Sequence, residues 1–272
     1  MPKLPIDHAV SAGTVDRMIL ITGATGTIGS EVLRLLTGRG HAVRAMSRKG
    51  SGPHAVQADF DDPASLDRAA AGVDSLFLLT APAIPTPHHD LAMLEAAQAA
   101  GVTRVVKLSA IGTGARFEGH TVGAWHVPGE EAVRASGMVW TILRPSSFAS
   151  NVLRQNPIMN MTGKARQGVV DPRDVAAVAV EALTAPLHSG RTYTLTGPEL
   201  LSVPDQARQL SEILGHPVTT TDVAPSGMDR AIATSIGWAR AGHNEVLTDD
   251  VARVLGRAPS TFATWARDHL AR

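Results

Sequence analysis

The chain has 272 residues, of which 44% are hydrophobic and 18% are charged, with 25 Lys and Arg against 25 Asp and Glu. This balance excludes an extended disordered chain, a basic nucleic-acid-binding arm and an acidic tail, and the length favours one large α/β domain. The absence of cysteine excludes disulfides, thiolate metal sites and cysteine nucleophiles.

Residues 1–16 show neither helical nor strand periodicity, and we predict a flexible leader there. They carry Asp7, His8 and Asp16 where a signal peptide would need an apolar segment. No apolar run reaches the roughly 18 residues that span a bilayer. We therefore expect a cytoplasmic protein that binds neither a membrane nor nucleic acid.

Short apolar segments alternate with helical patterns from residue 17 to about residue 150. Strands are predicted at 17–22, 41–46, 56–59, 73–80, 102–109 and 139–144, and helices at 27–38, 63–71, 89–100 and 130–136. Such alternation predicts an α/β fold with a doubly wound parallel sheet and right-handed crossovers.

The alternation weakens after residue 150. Strands are predicted at 169–171 and 193–196, and helices at about 173–184, 203–214, 228–241 and 261–271. In a doubly wound fold the ligand lies outside the carboxyl ends of the strands. We expect residues 151–272 to complete the sheet and to form a small, mostly helical substrate-binding part of the same domain.

A glycine-rich turn, Gly23-Ala24-Thr25-Gly26-Thr27-Ile28-Gly29, lies between the first strand and the first helix. Gly23 permits the tight turn, Gly26 allows a pyrophosphate to approach the backbone, and Gly29 allows the helix to approach the sheet. The helix N-terminus supplies N–H groups to the phosphates. Glycine-rich turns also occur without a ligand, but this context predicts a Rossmann-like dinucleotide site that includes Gly23, Thr25, Gly26, Thr27, Ile28 and Gly29.

The residues after the second strand discriminate between the two nicotinamide dinucleotides. Where an acid would bind the ribose of NADH, the chain has Ser47, Arg48 and Lys49, which favours the 2′-phosphate of NADPH. A solvated basic turn is the alternative. Asp59 and Phe60 follow the third strand and are predicted to contact the adenine, although Asp59 could equally be a capping residue.

Several segments together resemble the atypical short-chain dehydrogenase/reductases of the NmrA-like group. They are the glycine turn, Ser47-Arg48, the strand end at 107–110, the strand ending in Arg144-Pro145, and the run 171–176. The resemblance spans residues 17–270 and implies an NAD(P)-binding fold. It also implies that Thr80, Ala81 and the loop from Pro145 to Phe148 flank the nicotinamide.

Typical members of the wider family use a Tyr-x-x-x-Lys pair, which this chain lacks, because its single tyrosine, Tyr193, has no lysine four residues later. His126 and Glu130 take that place. We predict His126 as a proton donor whose pKa Glu130 raises; the alternative is a surface histidine before a helix with Glu130 complementing the dipole.

Ser109 ends the fifth strand and is predicted to bond a substrate oxygen or the nicotinamide ribose, although it could instead cap the next turn. Lys107 shares its strand face and could reach the cofactor or only extend its stem along the core. Phe148 and Trp125 are candidates for walls of the substrate space. His88-His89-Asp90 is not predicted to hold a metal, because adjacent histidines point apart and Asp90 suits the first turn of a helix.

The sequence thus predicts a reductase, monomeric or homodimeric, whose residues 17–150 bind NADPH. We expect it to transfer hydride to a small conjugated carbonyl, quinone or imine. The alternative is a redox-sensing regulator that binds NADP(H) without turnover, which the missing catalytic pair favours.

Overall fold

The fold is described by a computed structural model that covers residues 17–154 and 157–270. The predicted leader, residues 1–16, lies outside the described residues. In the part of the chain that is described, no helix is long and apolar enough to cross a membrane.

Up to position 145 each predicted strand is found within a few residues of its predicted place, and two short strands between residues 116 and 121 were not predicted. In chain order they are β1 Ile19–Ile21, β2 Val43–Ser47, β3 Ala55–Gln57, β4 Ser75–Leu78, β5 Arg104–Leu108, β6 Arg116–Phe117, β7 His120–Thr121, β8 Val139–Pro145, β9 Ile158–Asn160, β10 Gln167–Gly168, β11 Arg191–Leu195, β12 Leu200–Leu201 and β13 Thr220–Asp222.

Seven of these strands form one parallel sheet in the order β11-β8-β5-β4-β1-β2-β3. The order reverses between β1 and β4, so the loops that follow these two strands leave in opposite directions. Such a reversal opens a crevice at the carboxyl edge of the sheet, where doubly wound folds bind their ligands. The predicted doubly wound Rossmann-like fold is confirmed.

Helices cover both faces of the sheet. In chain order they are α1 Thr27–Gly38, α2 Pro63–Ala70, α3 His88–Ala99, α4 Val127–Ala135, α5 Pro172–Thr184, α6 Val203–Leu214, α7 Arg230–Arg240, α8 Asp250–Leu255 and α9 Phe262–Leu270, with short 3₁₀ turns at Ala149–Arg154 and Pro186–His188. One apolar cluster joins α1 and α5 to one face, and a second joins α2 and α3 to the other.

Local capping explains why several helices begin where the sequence predicts. The Asp62 carboxylate accepts a hydrogen bond from Ser65 N at the start of α2, and Asp171 does the same for Arg173 N at the start of α5. In both helices proline occupies the first position, where its missing N–H costs nothing.

Two predicted elements differ from the structure, and one helix was not predicted. Helix α4 begins at Val127 rather than at residue 130, with His126 as its N-cap residue. The predicted strand at 169–171 is reduced to a single bridge between Phe148 and Val170, next to β10. The short helix α8 was not predicted, although Asp249 precedes it and Gly256 ends it in a left-handed conformation.

Helix α7 and the segment after it cover the loop that follows β5. The Trp238 ring lies so close to Gly112 that a Cβ there would come within 2.7 Å of it. Ser235 Oγ accepts a hydrogen bond from Gly123 N, and Trp238 stacks on His243. The C-terminal part of the chain therefore lies over the carboxyl edge of the sheet.

Candidate active site

The glycine turn is sterically specified by its own backbone. Gly23 has a φ of +61°, and a Cβ on it would lie 2.6 Å from a methyl carbon of Leu79. A Cβ on Gly29 would lie 2.1 Å from the carbonyl oxygen of Gly23. Gly29 therefore lets α1 start against the turn itself, which corrects the prediction that it serves the approach of the helix to the sheet.

Gly26 is the least crowded of the three glycines in the turn. The nearest atom to a Cβ built on it is Gly23 O at 3.4 Å. Gly26 is also the N-cap of α1, and no described side chain caps this helix and no acid occupies its first turn. The N–H groups of Thr27 and Ile28 thus lack a side-chain partner, as a helix end that receives phosphate requires. The Ile28 side chain is buried in the core, so this residue can contribute only its backbone.

A cavity of about 490 Å³ opens at the crevice between β1 and β4. Its size falls within the range of small-molecule and cofactor sites. It is lined by Gly23, Thr25, Gly26, Met46, Ser47, Arg48, Ala58, Asp59, Phe60, Asp61, Leu79, Ala81, Pro82, Ala83 and His89. The structure thus brings most of the predicted cofactor-binding residues to one cavity.

The residues after β2 leave one cation free at the cavity. Ser47 Oγ accepts a hydrogen bond from Gly50 N and so holds the turn after the strand. The Arg48 side chain is exposed and pairs with no carboxylate of residues 17–154 or 157–270. Arg48 can therefore receive an anionic group.

Asp59 and Phe60 both lie at the cavity, but each already has a partner in the protein. Asp59 Oδ1 accepts a hydrogen bond from Asp61 N, as a turn-capping aspartate does. The ring of Phe60 stacks on His89, with centroids 4.8 Å apart and planes 15° from parallel. His89 also lines the cavity. The sequence analysis did not predict this, because only the packing of α3 against the loop after β3 brings His89 to the cavity.

His88 and His89 do not point apart as predicted. Their Nε2 atoms lie 3.6 and 3.5 Å from the same oxygen of Asp61. Within the described ranges, no group of three or more metal-ligating side chains has a geometry that could hold an ion.

A buried ion pair lies beneath the carboxyl ends of β4 and β5. Lys107 is fully buried, and its Nζ donates to Asp90 Oδ2 at 2.5 Å. Thr80 Oγ1 donates to the other oxygen of Asp90 at 2.9 Å. Of the two roles considered for Lys107, this burial favours the one within the core over contact with the cofactor, because the ammonium is enclosed by protein. Asp90 is not merely a first-turn acid of α3, since it neutralises this charge.

Glycine at position 129 makes room for the ion pair. A Cβ there would lie 2.5 Å from Asp90 Oδ2, which places the first turn of α4 directly on the carboxylate. The same turn carries His126 and Glu130, so the buried pair and the predicted catalytic residues belong to one polar cluster.

Glu130 binds cations and a hydroxyl, not His126. Its carboxylate is buried and accepts two hydrogen bonds from Arg144, at 2.8 and 2.6 Å, and one from Arg134 at 2.7 Å. Ser109 Oγ donates to the same carboxylate at 2.6 Å. Burial by itself would raise the pKa of Glu130, but the hydrogen bonds from Arg144, Ser109 and Arg134 outweigh it and lower the pKa.

Ser109 is held by this contact in a fixed orientation. Its hydrogen is committed to Glu130, and its oxygen lies 3.3 Å from Thr113 Oγ1. The hydroxyl therefore has lone pairs to offer but no hydrogen, so the predicted hydrogen bond to a substrate carbonyl oxygen is not available in this arrangement.

His126 is buried at the N-terminus of α4, with only 9% of its surface exposed. Its Nδ1 has no hydrogen-bond partner among the described residues. Burial, followed by the positive charge of Lys107, lowers the pKa of His126 to about 4. Glu130 does act to raise the pKa of His126, as predicted, but burial and Lys107 outweigh it. The prediction that Glu130 fixes the His126 tautomer is wrong, because its carboxylate accepts from Ser109, Arg134 and Arg144 instead.

The single tyrosine lies away from the crevice. Tyr193 occupies the middle of β11, and its hydroxyl lies 2.9 Å from Nδ1 of His188, a residue that precedes the strand. The phenol thus points toward the amino edge of the sheet and has no access to the crevice.

The loop after β8 is fixed to the segment that follows α7. Ser146 Oγ donates to Asn244 Oδ1 at 3.3 Å, and Asn244 Nδ2 donates to Gln167 Oε1 at 2.9 Å, with all three residues buried. Pro145 ends β8 and Phe148 is half-buried beside it. Sequence analysis missed Asn244, since 98 residues separate it from its partner Ser146.

The fold and the cavity together define a Rossmann-type dinucleotide-binding protein. A family model described as NAD(P)H-binding matches residues 23–186. The chain therefore belongs to this NAD(P)H-binding family, and the predicted class of protein is confirmed.

Two curated relatives cover almost the whole chain. A (4-alkanoyl-5-oxo-2,5-dihydrofuran-3-yl)methyl phosphate reductase of Streptomyces griseus is 36% identical over an alignment 278 residues long, which covers 93% of this chain and 98% of the relative. An NAD(P)H azoreductase of Xenophilus azovorans is 34% identical over 283 residues, with the same coverage of both chains. These relatives confirm that the chain is an oxidoreductase.

Among solved structures, an NADPH-dependent quinone oxidoreductase of Escherichia coli complexed with NADPH superposes with a TM-score of 0.78 over 94% of this chain and 100% of that one, at 23% identity. A triphenylmethane reductase of Citrobacter gives the same TM-score and coverage at 22% identity. At this identity the likeness shows a common fold.

Proposed function

We propose that this protein is an NADPH-dependent reductase that delivers hydride to a small conjugated carbonyl, quinone or imine. The observation that carries the proposal is the start of α1 at Gly26, which no described side chain caps and which lines a cavity of about 490 Å³. A Cβ at this position would occupy the place of the pyrophosphate, so the turn fits the group that the family binds.

In this proposal the backbone of Thr25, Gly26, Thr27 and Ile28 binds the pyrophosphate, and Arg48 with Ser47 binds the 2′-phosphate. Asp59 and Phe60 lie at the adenine end. Thr80 and Ala81 on one side, and Pro145 and Phe148 on the other, flank the nicotinamide. When bound, NADPH supplies the hydride, and the protein supplies position and polarity.

The residues around Ser109 would orient the reacting end. Ser109 presents only lone pairs, so it can accept a hydrogen bond from a carboxamide N–H or a ribose hydroxyl. Glu130 holds Ser109 in place, and Arg144 holds Glu130. Glu130 is therefore a positioning residue in this proposal rather than a group that touches the substrate.

We also propose that residues 17–150 hold the cofactor, and that residues 151–272 complete the sheet and bind the substrate. Helix α7 supports this division, because Trp238 lies against the loop that follows β5. Trp125 and Phe148 would complete the substrate wall. Cytoplasmic location and a monomeric or homodimeric state remain predictions, which cell fractionation and sedimentation can check.

The relatives narrow the acceptor class. The name of the Streptomyces griseus relative describes a ring alkene conjugated with two carbonyl groups. The Xenophilus azovorans relative is named for an azo acceptor. Both are electron-poor double bonds, which supports a conjugated acceptor for this chain as well.

Calorimetric titration with NADPH and NADH tests the cofactor, and absorbance of the reduced nicotinamide tests the acceptor. We expect NADPH to bind more tightly than NADH and to be oxidised when a quinone or a conjugated carbonyl is added. Tight binding with no oxidation by any acceptor would instead favour the regulatory alternative, and absence of binding would contradict both.

A further inference from the structure

Resting on the proposed reductase function, we infer that the described residues of this active site provide no proton to the substrate. The enzyme is therefore confined to acceptors whose hydride adduct is a stabilised anion. Quinones and alkenes conjugated with two carbonyl groups belong to this class, and simple ketones do not.

The hydroxyl groups at the carboxyl ends of β4 and β5 donate into the protein. Thr80 donates to Asp90, Ser109 donates to Glu130, and Thr113 Oγ1 donates to the carbonyl oxygen of Ala110 at 2.8 Å. Each of these hydroxyls could give its hydrogen to a substrate only by breaking its hydrogen bond to a carboxylate or carbonyl oxygen of the protein.

Burial is the largest influence on the pKa of His126, which also faces charged groups from four elements. They are Lys107 on β5, Asp90 on α3, Glu130 on its own helix α4 and Arg144 on β8. Together with burial, they leave the pKa of His126 at about 4, so the imidazole is neutral at physiological pH. Its buried, unpartnered Nδ1 suits a hydrogen-bonding role toward a ligand but not the role of a general acid.

The other candidate acids among the described residues are held by contacts within the protein. His89 lines the cavity at the end assigned to the adenine, where its ring stacks on Phe60 and its Nε2 lies 3.5 Å from an oxygen of Asp61. The Lys107 ammonium is fully buried and bonded to Asp90, and transfer of its proton would leave that carboxylate unpaired. Tyr193, the only tyrosine of the chain, bonds to His188 at the amino side of the sheet. The chain has no cysteine.

The reduction of the acceptor must then proceed without a proton from the protein. Hydride carries two electrons from the reduced nicotinamide to the electron-poor carbon, the alkene π pair moves to the conjugated carbonyl oxygen, and an enolate and the oxidised cofactor result. Water protonates the enolate after release. A simple ketone would give an alkoxide, a strong base, and loss of general acid catalysis typically lowers such rates by about 100-fold or more.

A matched pair of acceptors tests this inference. NADPH oxidation is measured with a 2-alkylidenecyclohexane-1,3-dione and with cyclohexanone, which share the ring and differ in anion stability; 1,4-benzoquinone serves as a second stabilised acceptor. After correction for the reaction without enzyme, we expect kcat/KM for cyclohexanone to be at least about 100-fold below that for the dione. Comparable values would overturn the inference and leave the reductase proposal intact, whereas no oxidation with any of the three would overturn both.

A measurement without turnover provides the second test. The imidazole signals of the cofactor-free protein are followed by NMR against pH, and the signal of His126 is identified by its absence in His126→Gln. We expect this signal to shift with pH near pH 4, which would show that the His126 imidazole is neutral at pH 7. Titration between pH 6 and 7, as for an ordinary histidine, would restore His126 as a proton donor and contradict the inference.

Discussion

Arg48 is exposed at the cavity and pairs with no described carboxylate, which makes it the residue expected to discriminate between the cofactors. We predict that Arg48→Glu weakens NADPH binding by at least about tenfold, since a charge-assisted bond to phosphate is lost and a repulsion is introduced. NADH binding should change little. Calorimetry with both cofactors measures the difference. Arg191→Glu is the control, because Arg191 is exposed at the start of β11, away from the crevice. If Arg48→Glu weakened the binding of NADPH and NADH equally, the assignment of Arg48 to the 2′-phosphate would be contradicted.

Gly29 is close to the carbonyl oxygen of Gly23, whereas Gly38 in the same helix has no atom within 4 Å of a Cβ. We predict that Gly29→Ala lowers the free energy of unfolding by about 1–3 kcal/mol and weakens NADPH binding, because the turn must open. Gly38→Ala should leave stability unchanged or raise it by up to about 1 kcal/mol. Urea unfolding of both variants compares them, and equal stability would show that the turn can adapt.

At the scale of elements, the buried pair of Lys107 and Asp90 connects β5, α3 and the loop after β4. We predict that Asp90→Asn or Lys107→Met alone lowers the free energy of unfolding by about 3–5 kcal/mol, since either leaves a charge buried without its partner. The double variant should be less destabilised than the sum of the two. Asp249→Asn, which breaks an exposed ion pair with Arg253, should change stability little. Additive effects in the double variant would mean that the two charges do not interact.

The elements that sequence analysis predicted correctly are those with local signals. The glycine turn, the Asp62 cap of α2 and the Asp171-Pro172 start of α5 each lie within a few residues of the groups they bind. Helix α8 was missed because six residues are too few to show a helical period.

The candidate site was only partly predictable, because many of its contacts join residues that are far apart in the sequence. The residues proposed to bind phosphates follow the strands in sequence, so their position at the crevice could be derived from the pattern. The partners of Lys107, Glu130 and Ser146 come from other elements, 17, 14 and 98 residues away. No local pattern encodes these contacts, and the pKa of His126 depends on burial that only the packed structure provides.

At the scale of the whole molecule, His126 links folding to pH. Its pKa is lower in the folded protein than the ordinary value of 6.5, so the unfolded chain takes up the proton first as the pH falls. The stability contributed by neutral His126 is present above pH 6.5 and is lost as the pH falls toward about 4. We predict that the wild type loses more stability than His126→Gln across this interval in urea unfolding. His216→Gln, which replaces an exposed histidine, is the control and should lose as much stability as the wild type. If wild type and His126→Gln lost stability equally as the pH falls, the lowered pKa of His126 would be contradicted.

The packing of Trp238 against Gly112, with Trp125 beside His126, also gives the molecule an optical property. Indole emission overlaps the absorption band of a reduced nicotinamide, and both rings lie at the edge of the sheet where that nicotinamide would bind. Trp265 is fully buried with Phe262 in the C-terminal cluster instead. Addition of NADPH should therefore quench tryptophan fluorescence by energy transfer, with more quenching lost in Trp238→Phe than in Trp265→Phe. The intrinsic fluorescence of helix α7 would thus report cofactor occupancy without any added label.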